Sequence, residues 1–478
     1  MFSVLSCTTE ETGGLIPQDK VPAVRLELDI PSTSSYSTKA AFQENTINEI
    51  DVLVFKNEEG RDKFLYHQAI PDSEITEGPG NKKIFTMNFD TTDISNGVRL
   101  MILANSHNEI ETLIQNNVIS EGTDREIVHK KLTFDGKRWM VPYISGNVPL
   151  FPMCGLTTSH LYPSQENDMP VTRVTLYRSL ARIDVGVDIY NSTSALRNEF
   201  QIKEISVMGI NQIGCITRLF DEELYDPVEV ANLPEENTRL VDLRNTYVLA
   251  NASYAMEGQI YVPESDVLNI VDNYVLEYSD LNGPVYINPN ADPKTLPYNG
   301  VYLIIKATYK GQDNRYYRID MEDTDGYCQI VRNHKYVVNI MSVNNNGHAA
   351  FTEAMNDIST NGINSFVLGE EDADIVHIAT SGKYLMGTDK NEIAVAKGGN
   401  YYEIKIKTTY SKNGQWQCTA RSENPEWLNV NLGTPTNKGR FALTVSVSQN
   451  GTNAERQGKI IITSGTIQME VNVMQSGS

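Results

Sequence analysis

Cysteine is scarce in this chain. Five occur in 478 residues, at Cys7, Cys154, Cys215, Cys328 and Cys418. The number is odd and the spacing wide, and no two form a Cys-x-x-Cys pair, so neither a zinc ribbon nor a redox dithiol is encoded. A disulfide framework is not expected in so long a chain with so few cysteines, and the last four read as small hydrophobes in strands. Long apolar runs are also missing: nowhere do about 18 apolar residues follow one another, as a membrane-spanning helix would need. Positive charge is in deficit, with 40 Lys and Arg against 61 Asp and Glu and a net charge of -21. Such a polyanion repels phosphate backbones, so no nucleic-acid partner is expected. Catalytic signatures are absent as well. The seven histidines are scattered singly, as at His67, His107, His129 and His160, without HExxH or HxH spacing. His334, in Arg332-Asn333-His334-Lys335-Tyr336, has no acidic or nucleophilic residue spaced to work with it. No dinucleotide, P-loop or nucleophile-elbow pattern appears. The acidic run 320–326 offers oxygen atoms but lacks a complete calcium loop. The expectation is a protein that is not an enzyme, with no metal and no cofactor.

What is present is strand pattern. Tyrosine is abundant, 24 against 13 phenylalanines, and with many Val, Ile, Thr, Asn and Gly residues it favours strands joined by polar turns. Residues 24–30 alternate, which puts Val24, Leu26, Leu28 and Ile30 on one strand face. Residues 47–55 and 98–104 are apolar enough to be central strands, 64–70 a hairpin partner, and 108–117 a short helix. Alternation returns over 169–189, with a break near Arg178-Ser179 that predicts a bulge or bend. Residues 222–300 read as surface loops around short strands. From about 382 onward, short strands recur at roughly ten-residue spacing, the pattern of a small β-sandwich. The fold class is therefore all-β, with a tether over 1–23 and three β domains at 24–202, 203–380 and 381–478. Trp416 and Trp427 can stack on a sugar ring if exposed together. Alternatively they lie beneath the small sandwich, and the setting of Trp427 in Asn424-Pro425-Glu426-Trp427-Leu428 suits a core position better.

Val4-Leu5-Ser6-Cys7 resembles the lipobox of a bacterial lipoprotein, in which the cysteine is lipidated. The charged and apolar segments that precede such a box are mostly missing, which reads as a shortened or late-assigned start. The order of a lipobox-like Cys7, a β domain closed by Thr172-Arg173-Val174-Thr175-Leu176-Tyr177-Arg178-Ser179-Leu180-Ala181-Arg182-Ile183-Asp184-Val185, and a second ending near Ile330-Val331-Arg332-Asn333-His334-Lys335-Tyr336-Val337-Val338-Asn339-Ile340, resembles the fimbrillins of Bacteroidales, subunits of type V pili. The last region resembles a BACON domain through Glu392-Ile393-Ala394-Val395, Gly398-Gly399, Pro425-Glu426-Trp427-Leu428, Arg456-Gln457-Gly458-Lys459-Ile460 and the closing strand 467–473.

These resemblances imply two tandem fimbrillin-type β-sandwiches followed by a small immunoglobulin-like, BACON-like sandwich. They imply export as a lipoprotein, processing after an arginine, loss of the first strand, and filling of the opened groove by a strand of another subunit. Arg25 is the arginine nearest Cys7 and Arg61 the next, and neither lies in an obvious loop just beyond a first strand. The terminal extra module suits a tip or minor subunit. The expected partners are other pilus subunits, a surface glycan or protein of host or bacterium, and the outer membrane through the lipid, with a surface-exposed location in the fimbrium. The alternatives are a glycan-binding surface lipoprotein that never polymerises, contacting sugar through Trp416 and Trp427, and a pilus anchor.

Overall fold

A computed structural model of the protein describes residues 22–30, 45–78, 82–89, 98–136, 150–159, 162–163, 169–188, 194–208, 210, 213–217, 256–265, 276–279, 283–287, 301–323, 326–327, 330–357, 363–368, 375, 377–381, 384–412, 414–436 and 439–477. Cys7, Cys328, His160 and most of 222–300 lie outside them.

Alternation builds the first layer. Strand β1 (Pro22–Asp29) buries Val24, Leu26 and Leu28 to 1% exposure or less, while Arg25 between them is exposed. Strands β2 (Ile50–Glu58) and β3 (Arg61–Ile70) form a hairpin. Its turn uses Glu59 and Gly60 at φ 52° and 81°, the left-handed pair that a tight two-residue connection needs. Then come β4 (Lys83–Asn88), β5 (Val98–Ala104), helices α1 (His107–Gln115) and α2 (Arg125–Lys131), and β6 (Met153–Ser159), β7 (Val171–Thr175) and β8 (Tyr177–Arg178). One sheet runs β7-β1-β4 with Thr76–Glu77 at its edge; the other runs β8-β6-β5-β2-β3. Both sheets feed one buried cluster. In β2, Val52, Leu53, Val54 and Phe55 are all fully buried, because α1 and α2 contribute Ile110 and Val128 to the same cluster. Helix α2 is not legible as a helix: four of its seven residues are charged and only Val128 and His129 are buried.

The break expected near Arg178-Ser179 falls between β8 and β9 (Leu180–Val187). Leu180 belongs to the first cluster, whereas Ala181, Ile183, Val185 and Val187 belong to a second. That second cluster lies between two sheets made from β10 (Phe200–Met208), β11 (Met256–Pro263), β12 (Tyr302–Tyr309), β13 (Gln312–Asp320), β14 (Lys335–Val343) and β15 (Ile363–Leu368), ordered β11-β9-β14-β15 and β10-β12-β13.

The remaining strands are β16 (His377–Ser381), β17 (Tyr384–Thr388), β18 (Glu392–Val395), β19 (Asn400–Thr408), β20 (Thr419–Ser422), β21 (Leu428–Leu432), β22 (Arg440–Val447), β23 (Arg456–Ser464) and β24 (Ile467–Gln475). Sheets β16-β17-β19-β22-β21 and β18-β24-β23-β20 enclose a third cluster. The chain is thus all-β, as its alternation predicts.

The two arginine-bearing segments, 172–185 and 330–340, meet between the first and second clusters. Strands β9 and β14 run parallel, with Arg182 opposite Lys335. Asn333 takes a left-handed φ of 59°, which asparagine tolerates better than most residues, and its side-chain oxygen accepts Arg178 Nη1 at 2.8 Å. Arg332 donates to Glu264 through Nε at 2.8 Å and Nη2 at 2.6 Å, and to the Ile216 carbonyl at 3.1 Å. Buried Asp184 accepts Arg182 at 2.6 Å and Lys335 at 3.0 Å. The motifs therefore supply the buried polar bonds of this junction.

His129 sits beside the same junction, its Nδ1 2.7 Å from Thr217 Oγ1. Burial, with Arg125 and Arg332 nearby, pulls its pKa from 6.5 down to about 3. The ring is neutral in the fold and takes a proton on unfolding at any pH between these values. Its contribution is complete above about pH 6.5 and is lost toward pH 3, at about 1.4 kcal/mol per pH unit. Urea melts at stepped pH should show a shallower decline in His129→Gln than in the parent.

Burial also pushes the thiols up, Cys154 to about 12 and Cys215 to about 11. Thiolate is the reactive form. Neither cysteine should be alkylated by iodoacetamide in the native protein at pH 8, and both should react once urea unfolds the chain. Rapid native labelling, located by peptide mass, would contradict this burial.

Candidate functional site at the seat of the first strand

Strand β1 occupies an inner position of its sheet. It pairs antiparallel with β4, setting Leu26 opposite Phe85 and Val24 opposite Met87. It pairs parallel with β7, setting Leu28 opposite Val174. The pairing runs past both ends: Phe89 N donates to Pro22 O and Leu176 N donates to Asp29 O, each at 2.8 Å. Val24, Leu26 and Leu28 plug the cluster below. On the outer face Glu27 accepts Lys82 Nζ at 2.7 Å and lies 3.3 Å from Arg173 Nε. The bond from Lys82, helped by Arg173, holds the Glu27 carboxyl below the usual carboxylate range. Without β1, the facing edges of β4 and β7 and an apolar trough would be uncovered, a shape and chemistry complementary to an extended alternating segment.

Of the two processing candidates, Arg25 lies inside β1 and Arg61 opens β3, directly after the hairpin turn. The Arg61 side chain is 75% exposed and 3.9 Å from Asp124. A cut after Arg61 would release β2 together with β1, and β2 is the strand between β3 and β5. The structure does not bring the two arginines together on one element. Cys7 lies outside the described residues.

The two tryptophans take different positions. Trp427 is 6% exposed, and the Arg456 guanidinium lies 4.3 Å above its ring. Trp416 is half-buried and packs on the edge of the same cluster, close to Gly439. The most exposed aromatic of that unit is Tyr401 on β19, at 75%.

A second constellation was not legible in the sequence. Asp51 on β2 and His67 on β3 share one face of their hairpin, because His67 pairs with Leu53, two residues from Asp51. At the end of β5, Asn105 turns the chain at φ 57°, with its amide bonded to the Thr46 and Phe151 carbonyls at 2.8 and 2.9 Å. That turn starts α1 with His107 over the same face. Asp51 Oδ1 lies 2.6 Å from His67 Nε2 and 2.8 Å from His107 Nδ1. Glu111, one turn along α1, lies 3.4 Å from His67 Nδ1. The bond to Asp51 raises the His107 pKa against the opposing effect of burial. The available signal was an acid inside an otherwise apolar run, Ile50-Asp51-Val52-Leu53-Val54, together with His107 and Glu111 at helical i, i+4 spacing.

Comparison with known sequences places residues 419–476 against the family described as "BACON: Putative binding domain, N-terminal". The C-terminal sandwich matches a BACON domain. A search of curated proteins found no match to the chain. Among solved structures, a fimbrial assembly protein from Parabacteroides distasonis is 15% identical, with 74% of this chain and 98% of that one covered and a TM-score of 0.42. A "Putative cell adhesion protein" from the same organism is 15% identical over 73% and 98%, with a TM-score of 0.39. A Bacteroides ovatus GH5 xyloglucanase is 17% identical over 21% of this chain and 18% of its own, with a TM-score of 0.16. All three scores are below 0.5, too low to establish a common fold over the whole chain. The BACON-matching stretch covers β20 to β24, the part that holds Trp427, Arg456 and the buried Gln475.

Proposed function

We propose that this chain is a structural and adhesive subunit of a cell-surface fimbrium, most suited to a tip or minor position, joined to its neighbours by β-strand addition. One observation carries this reading: the first described strand, with its whole apolar face buried, is held between two other strands of its sheet. An exogenous strand with the same alternation would satisfy the same ladder groups and the same trough. Such assembly needs no catalytic residue in the subunit. The BACON-matching unit would then face outward as the contact module. Lipidation at Cys7 would deliver the precursor to the outer membrane, and an arginine cut would free it. The test is the intact mass and N-terminal sequence of the chain recovered from its native envelope. A start just after an arginine is expected. A start at a lipidated Cys7 would reject a processed subunit and leave an anchor or a glycan-binding surface lipoprotein.

A second reading, a glycan-binding surface lipoprotein, has its own support in Tyr401, which presents an exposed ring on the BACON-bearing unit. Here the glycan contact moves from Trp427, whose ring is covered, to Tyr401. Retardation of the chain in polysaccharide-containing native gels, lost in Tyr401→Ala, would favour it.

A further inference from the structure

We propose that Asp51, His67 and His107 form a binding site for one divalent transition-metal ion, with zinc the best fit. The observation is a mismatch of charge and protons. Asp51 is fully buried, and its nearest polar neighbours are two imidazoles that both converge on one oxygen, Oδ1. Its other oxygen, Oδ2, is buried and takes no hydrogen bond from any described group. His67 has a carboxylate at each ring nitrogen, Asp51 at 2.6 Å and Glu111 at 3.4 Å. A neutral imidazole carries a single N–H and can donate to only one of them. A cation among Nε2 of His67, Nδ1 of His107 and the Asp51 carboxylate resolves both problems. It sets a positive charge against the buried carboxylate, uses a carboxylate oxygen, and frees the His67 proton for Glu111.

The ligand atoms of the three residues lie within 4.8 Å of one another. Zinc binds imidazole nitrogen and carboxylate oxygen at about 2.0–2.2 Å, so small side-chain rotations close the site around it. Two imidazoles and one carboxylate suit zinc, whereas calcium and magnesium prefer oxygen. Glu111 then holds the far nitrogen of a metal-bound histidine, an arrangement that fixes the ring and its tautomer. His107 has a side chain 39% exposed, which leaves a route for the ion and room for a water as fourth ligand. Because the ligands come from β2, β3 and α1, the ion would pin the start of the helix to the hairpin.

The test uses the full chain, stripped with a chelator and dialysed, then titrated with zinc chloride alone by calorimetry, with bound metal counted by mass spectrometry. Cobalt(II) serves as an optical probe. The expected result is one zinc per chain and a visible cobalt absorption band. His107→Ala, at a partly exposed position, should fold as the parent does by circular dichroism and lose both signals. Glu111→Gln should keep the site but weaken zinc binding about 10–100-fold. An unaltered zinc stoichiometry in His107→Ala would overturn the proposal by placing the ion elsewhere. So would a folded parent chain that takes up no zinc.

Discussion

Replacing Arg332 with alanine is expected to cost about 3–5 kcal/mol of stability, the range seen when one member of a buried ion pair is removed. Arg332 and Glu264 are each 3% exposed, and the guanidinium also bonds the Ile216 carbonyl. Truncation takes away the main counter-charge of a carboxylate that water cannot reach, and it leaves a cavity where the guanidinium lay. Ile216 belongs to the first cluster, and Ile330, two residues before Arg332, to the second. The loss should therefore appear in the unfolding of both. Urea denaturation should show the unfolding of the first and second clusters moving to lower urea, with that of the BACON-matching unit unchanged. The double variant Arg332→Met with Glu264→Leu should recover most of the loss, because both desolvation costs disappear together. A single-variant loss below about 1 kcal/mol would show that this pair does not hold the junction.

The second large effect is expected within β1 itself. Leu26→Ala should cost about 2–5 kcal/mol, the range for truncating a buried leucine to alanine. Its neighbour Arg25 is exposed, and Arg25→Ala should change stability by no more than about 0.5 kcal/mol. The two variants differ by one position on a strand whose faces alternate, so the contrast reports on the seat of β1 rather than on its composition. Both are read from urea midpoints. Equal effects would mean that β1 does not rest in the trough with Leu26 inward.

The same alternation made β1 legible in the sequence: Val24, Leu26 and Leu28 can share a face only if 24–30 is extended. Strand β5 was legible for the opposite reason, since an apolar run as dense as Val98–Ala104 has no exposed side. The Asp51 cluster was not legible as a site. Its members come from two strands and a helix, and His67 and His107 are brought together by hairpin register and the left-handed turn at Asn105, neither of which leaves a spacing motif. The arginine motifs were legible as a family resemblance, but not as a buried junction. A row of Arg, Lys and Asp reads as a solvated face until the parallel pairing of β9 and β14 places Asp184 beneath Arg182 and Lys335. Trp427 was legible as the likelier core residue of the two tryptophans from its setting before Leu428, but what covers its ring was not. Its burial depends on Arg456, almost thirty residues later in the chain.

Strand addition is tested most directly by exchange at the β1 seat. A specific protease site placed within residues 31–44 of the full chain would be cut, and the nicked protein incubated with excess fluorescent peptide of residues 22–30. The account predicts that the folded protein takes up the labelled peptide in place of its own β1, and does not take up a peptide carrying Leu26→Asp and Leu28→Asp. A nicked, folded protein that excludes the native peptide, or accepts both peptides equally, would contradict it.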